Sequence, residues 1–365
     1  MDVKYFIKAL THLGICFFTV QVFSQIFQGF MPLWIYKTVS VIFHFIFTIL
    51  MFKITKKLCF NKRIKPENKA VLITGCDSGF GHLLAKQLDS KGFRVYATCL
   101  QPTGHGATEL KLKSSENLKV LEMDVTKDES VSKAVKFIKE DLGSHELWAV
   151  VNNAGVFKGT SAELSKLQNY KDCIEVNLIG MVRVTKAFLP FLRKSKGRVV
   201  NIASFAGRMA MPYMTPYSVS KFAVVGFNEC LRREMDVWGI RVISIEPELF
   251  RTPMTDLESI PRDLDKEFVD LDASIIEDYG TTYLENLKKN IRVFARFSSL
   301  RIFNVIKDLE SAITLESPDA VYKTSRNYIF KIGIYILHNF PVCVQDMWIK
   351  LMLFFIIHPK SRRKC

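Results

Sequence analysis

Two absences stand out in this sequence of 365 residues. It has no Cys-X-X-Cys pair and no cysteine or histidine spacing typical of a metal site, although it contains 8 cysteines. It also has no Asn-X-Ser/Thr glycosylation sequon. The first absence argues against a metal-binding module, so we predict no metal site. Together the two absences favour reduced thiols in a domain that faces the cytosol.

A third absence is that of charge near the N-terminus. No residue from 9 to 36 carries a full charge, and this run exceeds the roughly 20 apolar residues that a bilayer-spanning helix needs. Pro32 offers a turn, and a second apolar stretch over residues 33–52 is interrupted only by Lys37. We therefore predict a membrane anchor over residues 1–66, built as a two-helix hairpin. The alternative is one spanning helix followed by an interfacial helix.

Positive charge is in excess, with a net charge of +15. Seven lysines and arginines lie between residues 53 and 69 against a single Glu67. Because this cluster borders the apolar segment and no nucleic-acid-binding motif accompanies it, we interpret it as membrane-flanking charge that stays cytoplasmic. The predicted location is the endoplasmic reticulum membrane, with the domain that follows the anchor in the cytosol. A mitochondrial membrane is the alternative, and no nucleic-acid partner is expected.

The pattern of apolar and polar residues changes after residue 68. Short β-rich runs alternate with amphipathic helical stretches, and the predicted strands are residues 70–73, 93–99, 118–123, 147–151, 198–203 and 241–246. This alternation predicts an α/β fold, a Rossmann-like doubly wound parallel sheet over residues 67–256. Residues 257–327 are predicted to form a helical substrate cap. For the apolar residues 328–365 we predict a membrane-associated segment at the pocket mouth, with ordinary packing against the core as the alternative.

Three glycines follow the first predicted strand and open a helix. Gly75 permits a tight turn, while Gly79 and Gly81 allow a close approach of the backbone to a pyrophosphate. The N-terminus of the helix adds free N–H groups and a favourable dipole. This context predicts a dinucleotide site.

A second constellation supplies acid–base chemistry. Ser204 follows a strand, and Tyr217 and Lys221 lie four residues apart, so one helical face presents both. Converting an alcohol to a carbonyl requires that a proton leave the oxygen, and the reverse reaction requires one. A free tyrosine has a pKa of about 10, and a neighbouring ammonium group together with a positive nicotinamide ring lowers it. We therefore predict that Tyr217 is the catalytic acid/base.

These motifs together resemble those of the short-chain dehydrogenase/reductase superfamily. Residues 74–81 read Thr-Gly-X-X-X-Gly-X-Gly, residues 152–155 read Asn-Asn-Ala-Gly, and residues 217–221 read Tyr-X-X-X-Lys, in the family's order. The resemblance covers residues 70–255. Residues 74–81 and 194–201 look like the branch that holds retinol dehydrogenases, 17β-hydroxysteroid dehydrogenase type 2 and 3-hydroxybutyrate dehydrogenase.

The resemblance implies roles for individual residues. The implied catalytic residues are Asn177, Ser204, Tyr217 and Lys221. The implied cofactor-binding residues are Thr74, Gly75, Asp77, Ser78, Gly79, Phe80, Gly81, Asp124, Asn153, Ala154, Gly155, Tyr217, Lys221, Pro247 and Thr252. Lys221 would also bind the nicotinamide ribose, and Ser204 would orient the substrate oxygen. Asn177 would hold a relay water, and Asp124 would contact the adenine ring.

Two positions bear on the cofactor. Asp77 would repel a 2′-phosphate, and the second strand ends without a basic residue, so NAD is favoured over NADP. Glu248 replaces the glycine that the family usually has after Pro247. A side chain at this point would crowd the nicotinamide or restrict the backbone.

The predicted function is that of a membrane-anchored, NAD(P)-dependent oxidoreductase acting on a small lipophilic alcohol or ketone, such as a steroid or retinoid. Two alternatives stay open. A 3-hydroxybutyrate dehydrogenase would need a cationic group in the pocket, for which Arg208 is a candidate. A catalytically weak dinucleotide-binding membrane scaffold would agree with Glu248. Because members of the family are commonly dimers or tetramers, a homo-oligomer also stays open.

Overall fold

The structure is a computed structural model that describes all residues except 1–2, 29–43, 53–54, 57–58, 256–263, 266–267, 270 and 357–365. The chain divides into two compact units. One comprises residues 1–65 with 314–318, and the other comprises residues 66–313 with 319–365.

The first unit contains one long N-terminal helix, α1 (Val3–Gln28). Its stretch Ile7–Ile26 is long and apolar enough to cross a membrane, and among the described residues no other helix meets that criterion. Residues 44–52 are also helical. The predicted hairpin depends on residues 29–43, which lie outside the described residues. The structure therefore provides one candidate membrane helix.

The second unit is built on a sheet of 7 parallel strands in the order β3-β2-β1-β4-β5-β6-β7. The strands are β1 (Lys69–Ile73), β2 (Arg94–Cys99), β3 (Leu118–Glu122), β4 (Glu146–Asn152), β5 (Arg198–Ile202), β6 (Arg241–Pro247) and β7 (Val321–Thr324). The strand order reverses direction between β1 and β4. In open sheets of this kind, ligands bind outside the carboxyl ends of the strands at this switch point. The predicted doubly wound parallel sheet is confirmed.

Helices connect and cover the strands. They are α2 (Gly79–Asp89), α3 (His105–Lys113), α4 (Asp128–Asp141), α5 (Leu167–Ile174), α6 (Met181–Ser195), α7 (Thr215–Met235), α8 (Ala273–Tyr279), α9 (Thr281–Arg296), α10 (Phe303–Thr314), α11 (Tyr328–Asn339) and α12 (Val342–Ile356). Leu72, Val150 and Val199 on three adjacent strands are fully buried and share a core cluster with Ile138 of α4 and Phe188 of α6. Because strands of a parallel sheet are covered on both faces, they appear in the sequence as nearly continuous apolar runs.

The predicted cap over residues 257–327 needs correction. Residues 321–324 form β7, which pairs with β6 and extends the sheet. A helical stretch precedes this strand, and the carbonyl of Ala312 in α10 accepts a hydrogen bond of 2.7 Å from buried Arg198 of β5. The four residues of β7 are too short a run for sequence periodicity to separate from a loop. Within this range, α8 and α9 remain as the candidate cap.

Candidate active site

A cleft of about 620 Å³ opens at the carboxyl ends of the central strands. It is lined by most of the residues that the sequence predicts for the site, namely Gly75, Asp77, Ser78, Gly79, Phe80, Asp124, Asn153, Ala154, Gly155, Ser204, Tyr217, Lys221, Pro247 and Thr252. The other three predicted residues, Thr74, Gly81 and Asn177, do not line the cleft. They contact residues 153–156, which line the cleft.

The glycine-rich turn after β1 packs tightly against the end of β4. Gly75 has a φ of +68°, and a Cβ there would lie 2.8 Å from the Cα of Ala154. A Cβ at Gly81 would lie 2.5 Å from Nδ2 of Asn153. The hydroxyl of Thr74 accepts hydrogen bonds from the backbone N–H groups of Asn153 (3.0 Å) and Ala154 (2.9 Å). Gly75 and Gly81 are therefore required by the packing of the two strand ends.

Gly79 plays a different part at the start of α2. Its φ is +63°, and a Cβ there would meet nothing closer than Thr252 at 3.9 Å, so the space beside it belongs to the cleft. Ser78 precedes the helix and makes no side-chain capping hydrogen bond. The first N–H groups of α2 are thus available to an anion, and the cradle fits the pyrophosphate of a dinucleotide.

Asp77 places a carboxylate at the end of β2. Its two oxygens accept hydrogen bonds of 3.0 Å from the backbone N–H groups of Leu100 and Gln101. These two bonds hold the negative charge in the part of the cleft that follows β2. In folds of this type, that region receives the ribose of the adenosine.

Tyr217, Lys221 and Ser204 meet deep in the cleft. Tyr217 and Lys221 lie one turn apart on α7, and the ammonium of Lys221 is 5.6 Å from the centroid of the Tyr217 ring. Lys221 is 4% exposed and donates a hydrogen bond of 2.9 Å to the carbonyl of Ile202. The hydroxyl of Ser204 is hydrogen-bonded to the phenol of Tyr217 and accepts a bond of 3.1 Å from the backbone N–H of Ala206.

Burial shifts the pKa values of Tyr217 and Lys221 in the protein without a cofactor. Burial raises the pKa of Tyr217 to about 12, and the hydrogen bond from Ser204 offsets only part of the rise. Burial also lowers the pKa of Lys221 to about 8. The physical reason for both shifts is desolvation, which disfavours the charged forms of both groups. The lowering of the phenol pKa expected from Lys221 together with the nicotinamide ring concerns the cofactor-bound protein, so it stays a prediction.

Asn177 is fully buried in a π-helical segment, Glu175–Gly180, between α5 and α6. Its amide nitrogen donates to the carbonyl of Val156 (3.0 Å) and to the hydroxyl of Ser220 (2.9 Å). Its oxygen accepts a bond of 2.8 Å from the N–H of Val156. Because both amide hydrogens are used by protein atoms, only the oxygen retains capacity for a water. Through these hydrogen bonds Asn177 links the segment after β4 to α7.

Glu248 does not block the cleft with its carboxylate. The carboxylate forms an ion pair with the guanidinium of Arg326 (Nε to Oε1, 3.1 Å) and accepts a bond from the backbone N–H of the same residue. Burial raises the pKa of the Glu248 carboxyl, although Arg326 acts in the opposite direction. Among the described residues, the non-glycine positions with positive φ are Asn68, Lys196 and Tyr213. The backbone at Glu248 therefore does not need a glycine.

Large apolar side chains that the motifs do not predict also line the cleft. They include Phe157, Phe205, Met211, Met214, Leu249, Phe250, Met254, Leu287 and Ile291. The ring of Phe157 lies 5.1 Å from that of Tyr217. Some of these lining residues could have been found from their proximity to the motifs in the sequence. Phe157 follows the Asn-Asn-Ala-Gly run, and Met214 precedes Tyr217. Leu287 and Ile291 of α9 had no such signal.

Arg208 lies outside this cleft. Its guanidinium pairs with Glu246 (2.8 Å) and with Glu229 (3.0 Å). Among the described residues that line the cleft, Lys221 is the only cation. The suggestion that Arg208 receives a carboxylate substrate is therefore wrong.

Comparisons with known proteins agree with this geometry. A family model described as short chain dehydrogenase matches residues 69–262. The chain is 43% identical over 262 residues to estradiol 17-beta-dehydrogenase 2 of Mus musculus, an alignment that covers 71% of this chain and 69% of that protein. It is 39% identical over 284 residues to the mitochondrial D-beta-hydroxybutyrate dehydrogenase of Mus musculus, covering 76% and 82% of the two chains.

Solved structures show the same fold. A short chain dehydrogenase/reductase from Burkholderia phymatum, in complex with NAD, is similar with a TM-score of 0.60 at 20% identity. The match covers 83% of this chain and 100% of that chain. At this level of identity the similarity concerns the fold alone.

Proposed function

Since this chain belongs to the short chain dehydrogenase family and is an NAD(P)-dependent oxidoreductase, we propose that it interconverts an alcohol and a carbonyl on a lipophilic substrate at a membrane. The observation that carries the proposal is the composition of the cleft. Its substrate side is formed by apolar and aromatic side chains, and among the described lining residues the only cation is Lys221, which is buried beside Tyr217. Such a lining favours a large apolar substrate over a small charged substrate.

A small hydroxy acid is the competing substrate, because one relative is named a hydroxybutyrate dehydrogenase. A carboxylate transferred from water into this cleft would need a cation to offset its lost hydration. Arg208 is held by Glu246 and Glu229 outside the cleft. The other relative is named for a steroid, estradiol, and a steroid agrees better with the apolar wall.

NAD is the proposed cofactor, and the residues present fit it. Gly79 leaves open space beside the free N-terminus of α2, where a pyrophosphate would bind. The carboxylate of Asp77, fixed by two backbone N–H groups, would repel an additional phosphate on the adenosine ribose. The bound nicotinamide supplies a hydride acceptor for alcohol oxidation or a hydride donor for carbonyl reduction.

The residues of the chain handle the proton. In reduction, the phenol of Tyr217 donates its proton to the substrate oxygen, and in oxidation the phenolate removes one. Ser204, which is hydrogen-bonded to the phenol, holds the same oxygen in line with it. Lys221 would bind the ribose and assist the ionisation of Tyr217, while Asn177 keeps α7 and the segment after β4 in place.

Membrane anchoring is part of the proposal. Helix α1 contains the candidate span Ile7–Ile26. In the catalytic unit, α11 and α12 expose large apolar side chains, among them Ile329 (83%) and Val342 (70%). Exposed apolar faces of this kind suit the interfacial region of a bilayer. The proposed location is the endoplasmic reticulum membrane, with a mitochondrial membrane as the alternative.

The test uses the full chain purified in detergent. NADH formation is measured with steroid alcohols, retinol and 3-hydroxybutyrate, and the variants are Tyr217→Phe and, as a matched control, Tyr170→Phe on α5 outside the cleft. We expect oxidation of a lipophilic alcohol by the wild type and the control but not by Tyr217→Phe. Oxidation of 3-hydroxybutyrate alone would refute the lipophilic substrate. Equal behaviour of Tyr217→Phe and the wild type on every substrate would favour the scaffold alternative.

A further inference from the structure

The hydroxyl of Ser204 is placed by a short turn that follows β5. The turn is the 3-10 segment Phe205–Gly207, and Ser204 stands at its N-terminal cap, where its hydroxyl accepts a hydrogen bond of 3.1 Å from the N–H of Ala206. The N–H of Gly207 donates a hydrogen bond of 3.0 Å to the carbonyl of Ser204. These bonds fix the shape of residues 204–208, which we call the Ser204 turn. The direction of the Ser204 hydroxyl then depends on how this turn lies on its neighbours.

The Ser204 turn packs directly against the part of α7 that carries Lys221. A Cβ added at Gly207 would lie 2.5 Å from the carbonyl oxygen of Lys221 and 3.1 Å from a methyl group of Val225. Gly207 therefore allows the turn to approach the helix closely. Apolar contact of this kind is non-directional, so it does not by itself set the angle at which Ser204 points into the cleft.

Arg208 ends the turn and joins it to two other elements. Its Nε lies 3.1 and 3.2 Å from the two carboxylate oxygens of Glu246 on β6, and its Nη2 lies 2.8 Å from Oε1 of the same residue. Its Nη1 donates a hydrogen bond of 3.0 Å to Glu229 on α7. Hydrogen bonds from a planar guanidinium fix orientation as well as distance. Arg208 therefore ties the Ser204 turn to β6 and to the helix that carries Tyr217.

The ion pair of Arg208 with Glu246 contributes orientation rather than stability. The side chain of Glu246 is 2% exposed and that of Arg208 is 22% exposed. Removing two such charges from water costs about as much free energy as their attraction returns, so an apolar pair of similar size would stabilise the fold as well or better. The hydroxyl of Ser244 donates a further hydrogen bond of 3.2 Å to Glu246, which helps to hold the carboxylate in one position.

We propose that Arg208 is a positioning residue for Ser204. It lies outside the cleft, but through Glu246 and Glu229 it sets the angle of the Ser204 turn. That angle keeps the Ser204 hydroxyl hydrogen-bonded to the phenol of Tyr217 and directed at the substrate oxygen. Without the guanidinium the turn would keep its shape but lose its alignment. This inference rests on the proposed function, which assigns Ser204 its role in the reaction.

The test removes the ion pair without leaving a buried charge. In the full chain in detergent, the double variant Arg208→Met/Glu246→Leu replaces both partners by apolar side chains, so its melting temperature should stay within about 5 °C of the wild type. With NAD and the lipophilic alcohol that the wild type oxidises best, kcat should fall by about tenfold to hundredfold, because a displacement of about 1 Å near the reacting atoms has an effect of this size. The KM for NAD should stay within about twofold, because the cofactor-binding residues are unchanged.

A second background shows whether Arg208 acts through Ser204. In the Ser204→Ala protein, the same two replacements should lower kcat by at most about twofold further, because the hydroxyl that Arg208 positions is already absent. Arg208→Lys keeps the charge but loses the planar fork, so its kcat should lie between those of the wild type and the double variant. The matched control is Arg94→Met/Asp141→Leu, which removes an ion pair between the start of β2 and the end of α4 and should leave kcat within about twofold.

The outcomes separate the inference from the proposed function. An unchanged kcat in the double variant would overturn the inference. An equally large further loss in the Ser204→Ala background would also overturn it, because the ion pair would then support the fold and not Ser204. Should the double variant fail to fold, a wild-type kcat for Arg208→Lys would overturn the inference, and a reduced kcat with an unchanged KM for NAD would support it.

A wild type that oxidises no lipophilic alcohol would refute the proposed function. Amide hydrogen exchange of residues 204–209 then tests the alignment without any substrate. Faster exchange of this segment in the double variant than in the wild type and in the control would support the positioning by Arg208. Equal exchange in all three proteins would overturn it.

Discussion

The buried ammonium group of Lys221 should destabilise the protein in the absence of cofactor. Lys221 is 4% exposed, and its described hydrogen bond is the one to the carbonyl of Ile202. Burial lowers the pKa of this lysine from 10.5 to about 8. Because the folded state disfavours the charged form, replacing the lysine by a neutral side chain of similar length should stabilise the fold.

The expected change in the free energy of unfolding follows from the shift in the pKa of Lys221. At about 1.4 kcal/mol per pKa unit, the lowering corresponds to roughly 3 kcal/mol of lost stability when the lysine is charged in both states. The substitution Lys221→Met removes this penalty but leaves the carbonyl of Ile202 without its donor, which costs about 1 kcal/mol. We expect the free energy of unfolding to rise by about 2 kcal/mol near neutral pH while activity is lost.

The pH dependence carries the sharper test. The folded pKa lies below the unfolded one, so the penalty is complete below pH about 8, declines as the folded protein releases its proton, and is absent above pH 10.5. The advantage of Lys221→Met should decline over the same range. Thermal unfolding of both proteins across this range measures it, with Lys136→Met, an exposed position on α4, as control. A less stable Lys221→Met protein near neutral pH, or an advantage independent of pH, would refute the reasoning.

Three further predictions concern the cleft. Because burial raises the pKa of Tyr217 in the protein without a cofactor, binding of the oxidised cofactor beside the phenol should release a proton. Alcohol oxidation uses the phenolate, so its initial rate should rise with pH until Tyr217 is ionised, and a rate that stays constant between about pH 6 and about pH 10 would contradict Tyr217 as the base. Asp77→Asn should reduce the preference for NAD over NADP by about tenfold in the ratio of kcat/KM values, since it removes the charge facing a 2′-phosphate; an unchanged ratio would assign the preference elsewhere. Glu248→Gly should lower the free energy of unfolding by about 1 to 3 kcal/mol through loss of the bonds to Arg326, while the KM for NAD changes little. A large fall in that KM would instead show that Glu248 crowds the nicotinamide.

Much of the catalytic unit could be predicted from local sequence. The runs around Val71, Val150 and Val199 are apolar because parallel strands are buried on both faces, so their approximate bounds follow from composition alone. The turn of residues 74–81 and the spacing of Tyr217 and Lys221 depend on local backbone geometry, which short-range sequence encodes. The structure accordingly places Tyr217, Lys221 and most residues of this turn at one cleft.

Contacts between distant segments could not be predicted in the same way. Three such contacts join residues that are far apart in the sequence. They are the ion pair of Glu248 with Arg326, the ion pair of Arg208 with Glu246 and the pairing of β7 with β6. The pKa shifts of buried groups could not be predicted from local sequence either, because burial depends on all the segments that surround a group. Burial raises the pKa of Tyr217 in the protein without a cofactor, and the spacing of Tyr217 to a lysine does not reveal that burial.

The sequence by itself thus determined the parallel sheet and the dinucleotide turn, because each depends on neighbours within a few positions of the chain. The spacing of Tyr217 and Lys221 predicted the residues that we propose transfer the proton. Only the tertiary structure decided the apolar lining of the cleft and the pKa shifts of the residues buried in it. The lining contributed by Phe157, Met214 and Leu287, and the raised pKa of Tyr217, result from packing and desolvation among segments that are far apart in the sequence.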